Sequence, residues 1–208
     1  MKLTFRMILT LFIITISSAT ILSAINRWAQ PRIEQHALRA RQRAIYTLHP
    51  RAEETTEIAQ HGPEDLPIFA ALDDAGETLG YTFLAEGTGY QGEIRLMVGT
   101  TDDLQKLTGI VILAQVETPG LGARIEERAE DPEVKEDYRF RNWFEGLNPE
   151  PEIEYVRNQM PEEDNQIRAI TGATISSESV VEIINRAFDR VKNIVAKQQN
   201  GEIEENNE

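Results

Sequence analysis

The hydrophobic pattern changes character three times along this chain of 208 residues. Met7 to Ile25 is a run of 19 residues without a charge, bounded by Lys2 and Arg6 before it and Arg27 after it. At 1.5 Å per residue it reaches about 28 Å, one bilayer core, which predicts a transmembrane helix over 7–25 with residues 1–6 as a short flank. Ser17-Ser18-Ala19 would suit signal-peptide cleavage, but the apolar core of a signal peptide runs only about 7–15 residues, so an uncleaved anchor is the reading kept. Pro31 can then open a helix. Ile33, Ala37, Ala40, Ala44 and Leu48 keep a loose helical period up to a break at His49-Pro50. Polar residues follow to Pro67, read as a loop with at most one short helix, so 26–66 forms a helical connector and loop.

From Ile68 the period shortens to two. Strands are predicted over 68–72, 79–85, 93–98 and 109–116, with Asp73-Asp74-Ala75-Gly76 as a turn. Ile153 to Arg157 and Gln166 to Ile170 are further candidate strands. Near the end the period lengthens again. Val180, Ile183, Ile184, Ala187, Phe188, Val191, Ile194 and Val195 recur at three- and four-residue steps, the mark of an amphipathic helix on a core. Strands followed by a packed helix predict an α+β domain over 67–197 with an antiparallel sheet, and a polar, acidic, disordered tail over 198–208.

Charge and composition narrow the partners. All 35 acidic residues follow the span, with 19 of the 21 basic ones, giving that part a formal charge of −16. Nucleic acid and anionic lipid are poor partners for such a surface. Cysteine is absent, which removes disulfides, thiolate-held iron–sulfur clusters, CxxCH haem attachment and a thiol nucleophile. His36, His49 and His61 lack metal-ligand spacing and suit surface or linker positions. Any electron chemistry here needs an organic cofactor.

Three segments carry candidate chemistry. Thr171-Gly172-Ala173-Thr174 stands at a helix start, followed by Ser176, Ser177 and Ser179. A helix N-terminus offers unpaired N–H groups and partial positive charge, so a phosphate is stabilised there. Gly172 and Ala173 let an anion approach, and Thr174 puts a hydroxyl at its mouth. The same residues also suit plain helix capping, with Ser179 and Glu182 spaced as a capping box. Glu117-Thr118-Pro119-Gly120-Leu121-Gly122 contains a Pro-Gly type II turn. Gly87-Thr88-Gly89-Tyr90-Gln91-Gly92 has GxGxxG spacing, but Ile94, Leu96 and Val98 alternate after it. That is a strand where a dinucleotide fingerprint needs a helix, so a hairpin is predicted.

Taken together, TGATISS (171–177), ETPGLG (117–122) and the GTGYQG turn resemble the FMN-binding subunits of ion-translocating, NADH-linked membrane complexes. They are most similar to the G subunit of the Rnf electron-transport complex, and the resemblance covers Leu79 to about Val195 plus one anchor. It implies an FMN-binding domain whose cofactor is joined through its phosphate to Thr174 by a separate flavin transferase that takes FMN from FAD. It also implies cofactor contacts from Thr171, Gly172, Ala173, Ser176, Ser177, Glu117, Thr118, Pro119, Gly120, Leu121, Gly122, Gly89 and Tyr90. Arg168 departs from the pattern, since the family places an acidic residue three positions before the first threonine.

The resemblance further implies a single-pass protein of a bacterial inner membrane complex, passing electrons between other membrane and redox subunits. Its domain would lie on the periplasmic side, although Arg27, Arg32, Arg39, Arg41 and Arg43 would by charge alone hold it in the cytoplasm. Similar motifs occur in the C subunit of sodium-translocating NADH:quinone oxidoreductases, and a free-standing FMN carrier would also fit. The reading of another class is a tethered interaction or assembly module whose threonines only cap a helix.

Overall fold

The computed structural model describes residues 2–59, 67–128 and 139–199. They form two compact units that part after Gln42.

The first unit is most of helix α1, Lys2–Leu48. Thr10, Thr15 and Thr20 donate their hydroxyls to the carbonyls of Arg6, Leu11 and Ile16, so these polar groups are satisfied within the helix on a surface suited to lipid. The Arg32 guanidinium stacks 4.1 Å from the Trp28 ring. The expectation of a second helix starting at Pro31 is corrected: α1 runs through it. Proline removes only the N–H that would reach the Arg27 carbonyl, and flanking residues of good helix propensity carry the helix past that gap.

The second unit holds a five-stranded antiparallel meander in sequence order: β1 (Glu54–Ala59), β2 (Ile68–Leu72), β3 (Thr78–Thr88), β4 (Glu93–Thr101) and β5 (Leu107–Ala114). Two three-residue strands, β6 (Glu154–Val156) and β7 (Gln166–Arg168), pair in parallel, and α2 spans Thr174–Gln199. The pleat decides which residues face which core. Phe83 and Ala85, with Leu96 and Val98, pack into the main core under α2, while the alternating Leu84 and Met97 turn to the other face and meet Ala44, Ile45 and Leu48. The last turns of α1 therefore belong to this unit.

All of the periodic α2 residues from Val180 to Val195 are buried except Ile194, which is partly so. They settle against the sheet where Gly87 of β3 leaves room: a Cβ there would stand 2.6 Å from Ile183 Cγ1.

Several expectations change. Residues 54–59, read as loop, form edge strand β1, whose pattern ETTEIA is too polar to show a strand period. His49, expected at a surface or linker position, is buried. There desolvation lowers its pKa below 6.5, offset in part by the Tyr81 carbonyl 3.3 Å from Nε2. Ser179 lies inside α2, so it forms no capping box with Glu182. Of the expected tail, 198–199 are helical and 200–208 lie outside the described residues, as does His61.

Candidate functional site

Tight turns bring the three motifs to one end of the sheet. The first is the β3–β4 hairpin, where Gly89 donates its N–H to the Gly92 carbonyl at 2.7 Å. This is the expected hairpin, and β4 after it rules out the dinucleotide reading. The second is Thr118–Leu121, closed by Leu121 N–H to Thr118 O at 3.1 Å with Gly120 at φ +76°. That is the expected Pro-Gly turn, with glycine where a positive φ is required. A short 3₁₀ helix, Gly122–Glu126, follows it.

The third turn is Ile170–Ala173, closed by Ala173 N–H to Ile170 O at 3.0 Å with Gly172 at φ +85°. It delivers the chain into α2. Ser177 N–H donates to the Ala173 carbonyl at 3.1 Å, the first bond of the helix, so Ala173 is the N-cap and Thr174 the first helical residue. An alanine offers no side chain to cap the first turn. The N–H groups of Thr174, Ile175 and Ser176 therefore point outward from a 26-residue helix, as an anion site requires.

The polar residues near this turn divide into two sets. Ser177 is fully buried and ties the turn together, its Oγ accepting from Ile170 N–H and donating to Ala173 O, both at 3.0 Å. Ser176 is also buried, and its Oγ donates to Glu117 Oε2 at 2.7 Å. Neither hydroxyl is turned toward the space in front of the helix. Thr171 is exposed and Thr174 half-buried, and neither hydroxyl is engaged by another described residue.

Glu117 joins all three segments. Its carboxylate is buried and accepts from Gln91 N–H at 3.0 Å as well as from Ser176. Thr118 accepts from the Gln91 side chain, linking hairpin and loop a second time. Tyr90, Val116, Leu121 and Ile175 expose large apolar side chains around these turns. Leu121 Cδ2 lies 3.6 Å from where a Gly172 Cβ would be, so its side chain stands beside the helix start. Val116, read as the end of a strand, and Ile175, inside TGATISS, were not among the expected contact residues, because an apolar residue is read first as core.

These groups fit FMN in chemistry: N–H donors and a hydroxyl for the phosphate, and apolar walls for a planar ring system. Arg168, where the resemblance leads to an acid being expected, directs Nη1 to Met160 Sδ at 3.8 Å. An open cleft of about 570 Å³ elsewhere is lined by Glu150, Glu154, Glu162, Glu163 and Asp164. Its carboxylates would repel a phosphate, and none of the three motifs reaches it.

Residues 89–189 match the FMN-binding domain. The chain is 29% identical over 206 residues to the G subunit of the Na(+)-translocating ferredoxin:NAD(+) oxidoreductase complex of Acetobacterium woodii, covering 93% of this chain and 94% of that one. It is 28% identical to the G subunit of the ion-translocating oxidoreductase complex of Methanosarcina acetivorans, covering 89% and 93%. In fold it is similar to the C subunit of the Na(+)-translocating NADH-quinone reductase from Parabacteroides distasonis, at TM-score 0.52 and 23% identity over 69% of this chain and 78% of that one. With a helix long and apolar enough to cross a membrane ahead of an α+β domain whose residues 89–189 match the FMN-binding domain, the chain resembles the G subunits of ion-translocating oxidoreductase complexes.

Proposed function

We propose that this protein is the membrane-anchored flavoprotein component of an Rnf-type ion-translocating oxidoreductase, carrying electrons on FMN esterified through its phosphate to Thr174. It works as one carrier among other membrane and redox subunits and is not a catalyst by itself. Residues 7–25 anchor it in the bacterial inner membrane, and residues 67–197 form the flavin domain on the periplasmic side.

The observation that carries the attachment is the identity of the N-cap. Were the threonines and serines present only to cap α2, one of them would occupy that position, where replacing such a residue by alanine costs about 1 kcal/mol. Instead Ala173 holds it, and Thr174 follows with its hydroxyl uncommitted beside three outward N–H groups. That arrangement leaves an anion site unfilled by the chain's own side chains.

When bound, the flavin supplies one- and two-electron redox chemistry. The residues of this chain hold and surround it. Backbone N–H groups of Thr174, Ile175 and Ser176 stabilise the phosphate, and Gly172 and Ala173 keep side-chain bulk away from it. Gly89, Tyr90, Thr118, Pro119, Gly120 and Leu121 shape the ring environment. Ser176, Ser177, Gly122 and Glu117 support those segments from behind. A flavin transferase forms the ester, joining Thr174 Oγ1 to the FMN phosphorus as the pyrophosphate bond of FAD breaks and AMP leaves.

Intact mass and in-gel flavin fluorescence, on protein made with a flavin transferase, test this reading. The expected result is an added mass of FMN less one water, fluorescence after denaturation, and loss of both in Thr174→Ala but not in Thr171→Ala. An unmodified wild type made beside an active transferase, or a fluorescent Thr174→Ala, would refute it.

A further inference from the structure

Glu117 stands out among the motif residues because two glycines pack against it, Gly89 beside Ile94 as well and Gly122 beside Ser176 Oγ as well. A Cβ at Gly89 would fall 2.4 Å from Glu117 Oε1, and a Cβ at Gly122 would fall 2.5 Å from Oε2. Each oxygen is thus packed against backbone where any side chain would displace it. Each also accepts one hydrogen bond, from Gln91 N–H in the hairpin and from Ser176 Oγ in the first turn of α2. The backbone is anchored as well, with Glu117 N–H donating to the Gln115 side chain at 2.5 Å. A carboxylate so enclosed, 4% exposed, has both oxygens committed to the protein.

We infer that Glu117 is a positioning residue: its carboxylate bridges the Gly89–Gln91 turn to the start of α2, fixing the separation between the ring-side hairpin and the phosphate-side helix, without touching the flavin. The inference rests on the flavin reading for its purpose but not for its geometry. Hydrogen bonds to a charged acceptor are the stronger kind, and a buried carboxylate losing either partner is penalised further. The two turns are therefore mechanically coupled, although Gln91 and Ser176 lie 26 and 59 residues from Glu117 in sequence.

Hydrogen exchange on the full-length protein in detergent, made without a flavin transferase, tests the bridge. Peptides covering 89–92 and 171–177 are followed, with 94–98 and 180–188 reporting on the sheet and the body of α2. Glu117→Ala should raise exchange in both turns by about tenfold or more, since charge-assisted bonds contribute over a decade of protection. Glu117→Gln should fall between wild type and Glu117→Ala in both turns, because it keeps the two hydrogen bonds without the charge. Its carbonyl can accept from Gln91 N–H and its amide can donate to Ser176 Oγ, which accepts as readily as it donates. Wild-type exchange in Glu117→Ala, or a rise in one turn alone, would overturn the bridge.

Should Glu117→Ala also expose the reporting peptides, Ser176→Ala decides. It removes a donor in the helix and must loosen the hairpin, and an unchanged hairpin refutes the coupling. In flavin-loaded protein, Glu117→Ala should shift the flavin absorption band and midpoint potential, and Glu117→Gln should restore both. Loosened turns with an unmoved flavin spectrum and potential would refute the positioning role. A wild type that never acquires flavin yet shows the coupled protection would refute the proposed function while leaving the bridge standing.

Discussion

Gly87→Ala is the sharpest probe of how α2 is held over the sheet. The added methyl would stand 2.6 Å from Ile183 Cγ1, 3.1 Å from Cδ1 and 3.8 Å from Cβ. Ile183 is buried and β-branched, so its side chain has little freedom to move aside. Overpacking of this kind costs about 1–3 kcal/mol. Ile183→Ala alone costs about 2–5 kcal/mol, through lost burial and the cavity left behind. In the double variant the Cβ retained at position 183 is an ordinary 3.8 Å from the new methyl, and the methyl occupies part of the cavity. The two costs should therefore fall short of their sum by about 1–3 kcal/mol, well beyond the ~0.5 kcal/mol scatter of independent sites. Urea titration of the full-length protein in detergent, followed through Trp143 against the core, measures all four corners of the cycle. Costs that add within that scatter would mean that Gly87 and Ile183 do not share this contact. The packing account of how α2 sits on the sheet would then fail.

Two further predictions concern other parts of the second unit. Because burial lowers the pKa of His49 below 6.5, the folded protein favours its neutral ring. Its share of stability is full above about pH 6.5 and is lost as pH falls through the lowered folded value, where the fold must take up a charge. His49→Gln should flatten the fall in urea midpoint between pH 7.5 and about pH 5.5, and an unchanged slope would refute the assignment. Gly120 and Gly172 have positive φ, and a Cβ at either meets no atom closer than 3.6 Å. Gly→Ala at each should cost about 1–2 kcal/mol from backbone strain alone, and Gly→Asn less, because asparagine tolerates the left-handed region. Thermal melts in which Ala equals Gly would contradict those turn conformations.

How far the sequence disclosed this site depends on whether each residue's role was local. The Pro119-Gly120 turn, the β3–β4 hairpin and the buried stripe of α2 follow from neighbours a few positions apart, and all three formed where expected. Strand β1 did not show, because edge position and a partner in β2 decide its state, not its own polar composition. The burial of His49 was hidden for the same reason, since it depends on the close approach of Tyr81, Gly80 and Gly99 from the sheet. The motifs named the right segments without dividing labour within them. Ser176 and Thr174 are two residues apart and chemically alike, yet one hydroxyl is spent on a carboxylate 59 positions away and the other is uncommitted. No periodicity encodes that division, because it depends on where Glu117 lies in space. The same contact explains why glycines recur in two motifs that never touch in sequence. Gly89 and Gly122 flank one carboxylate, so a side chain at either would press on that buried acid, and also on Ile94 at the first and on Ser176 Oγ at the second.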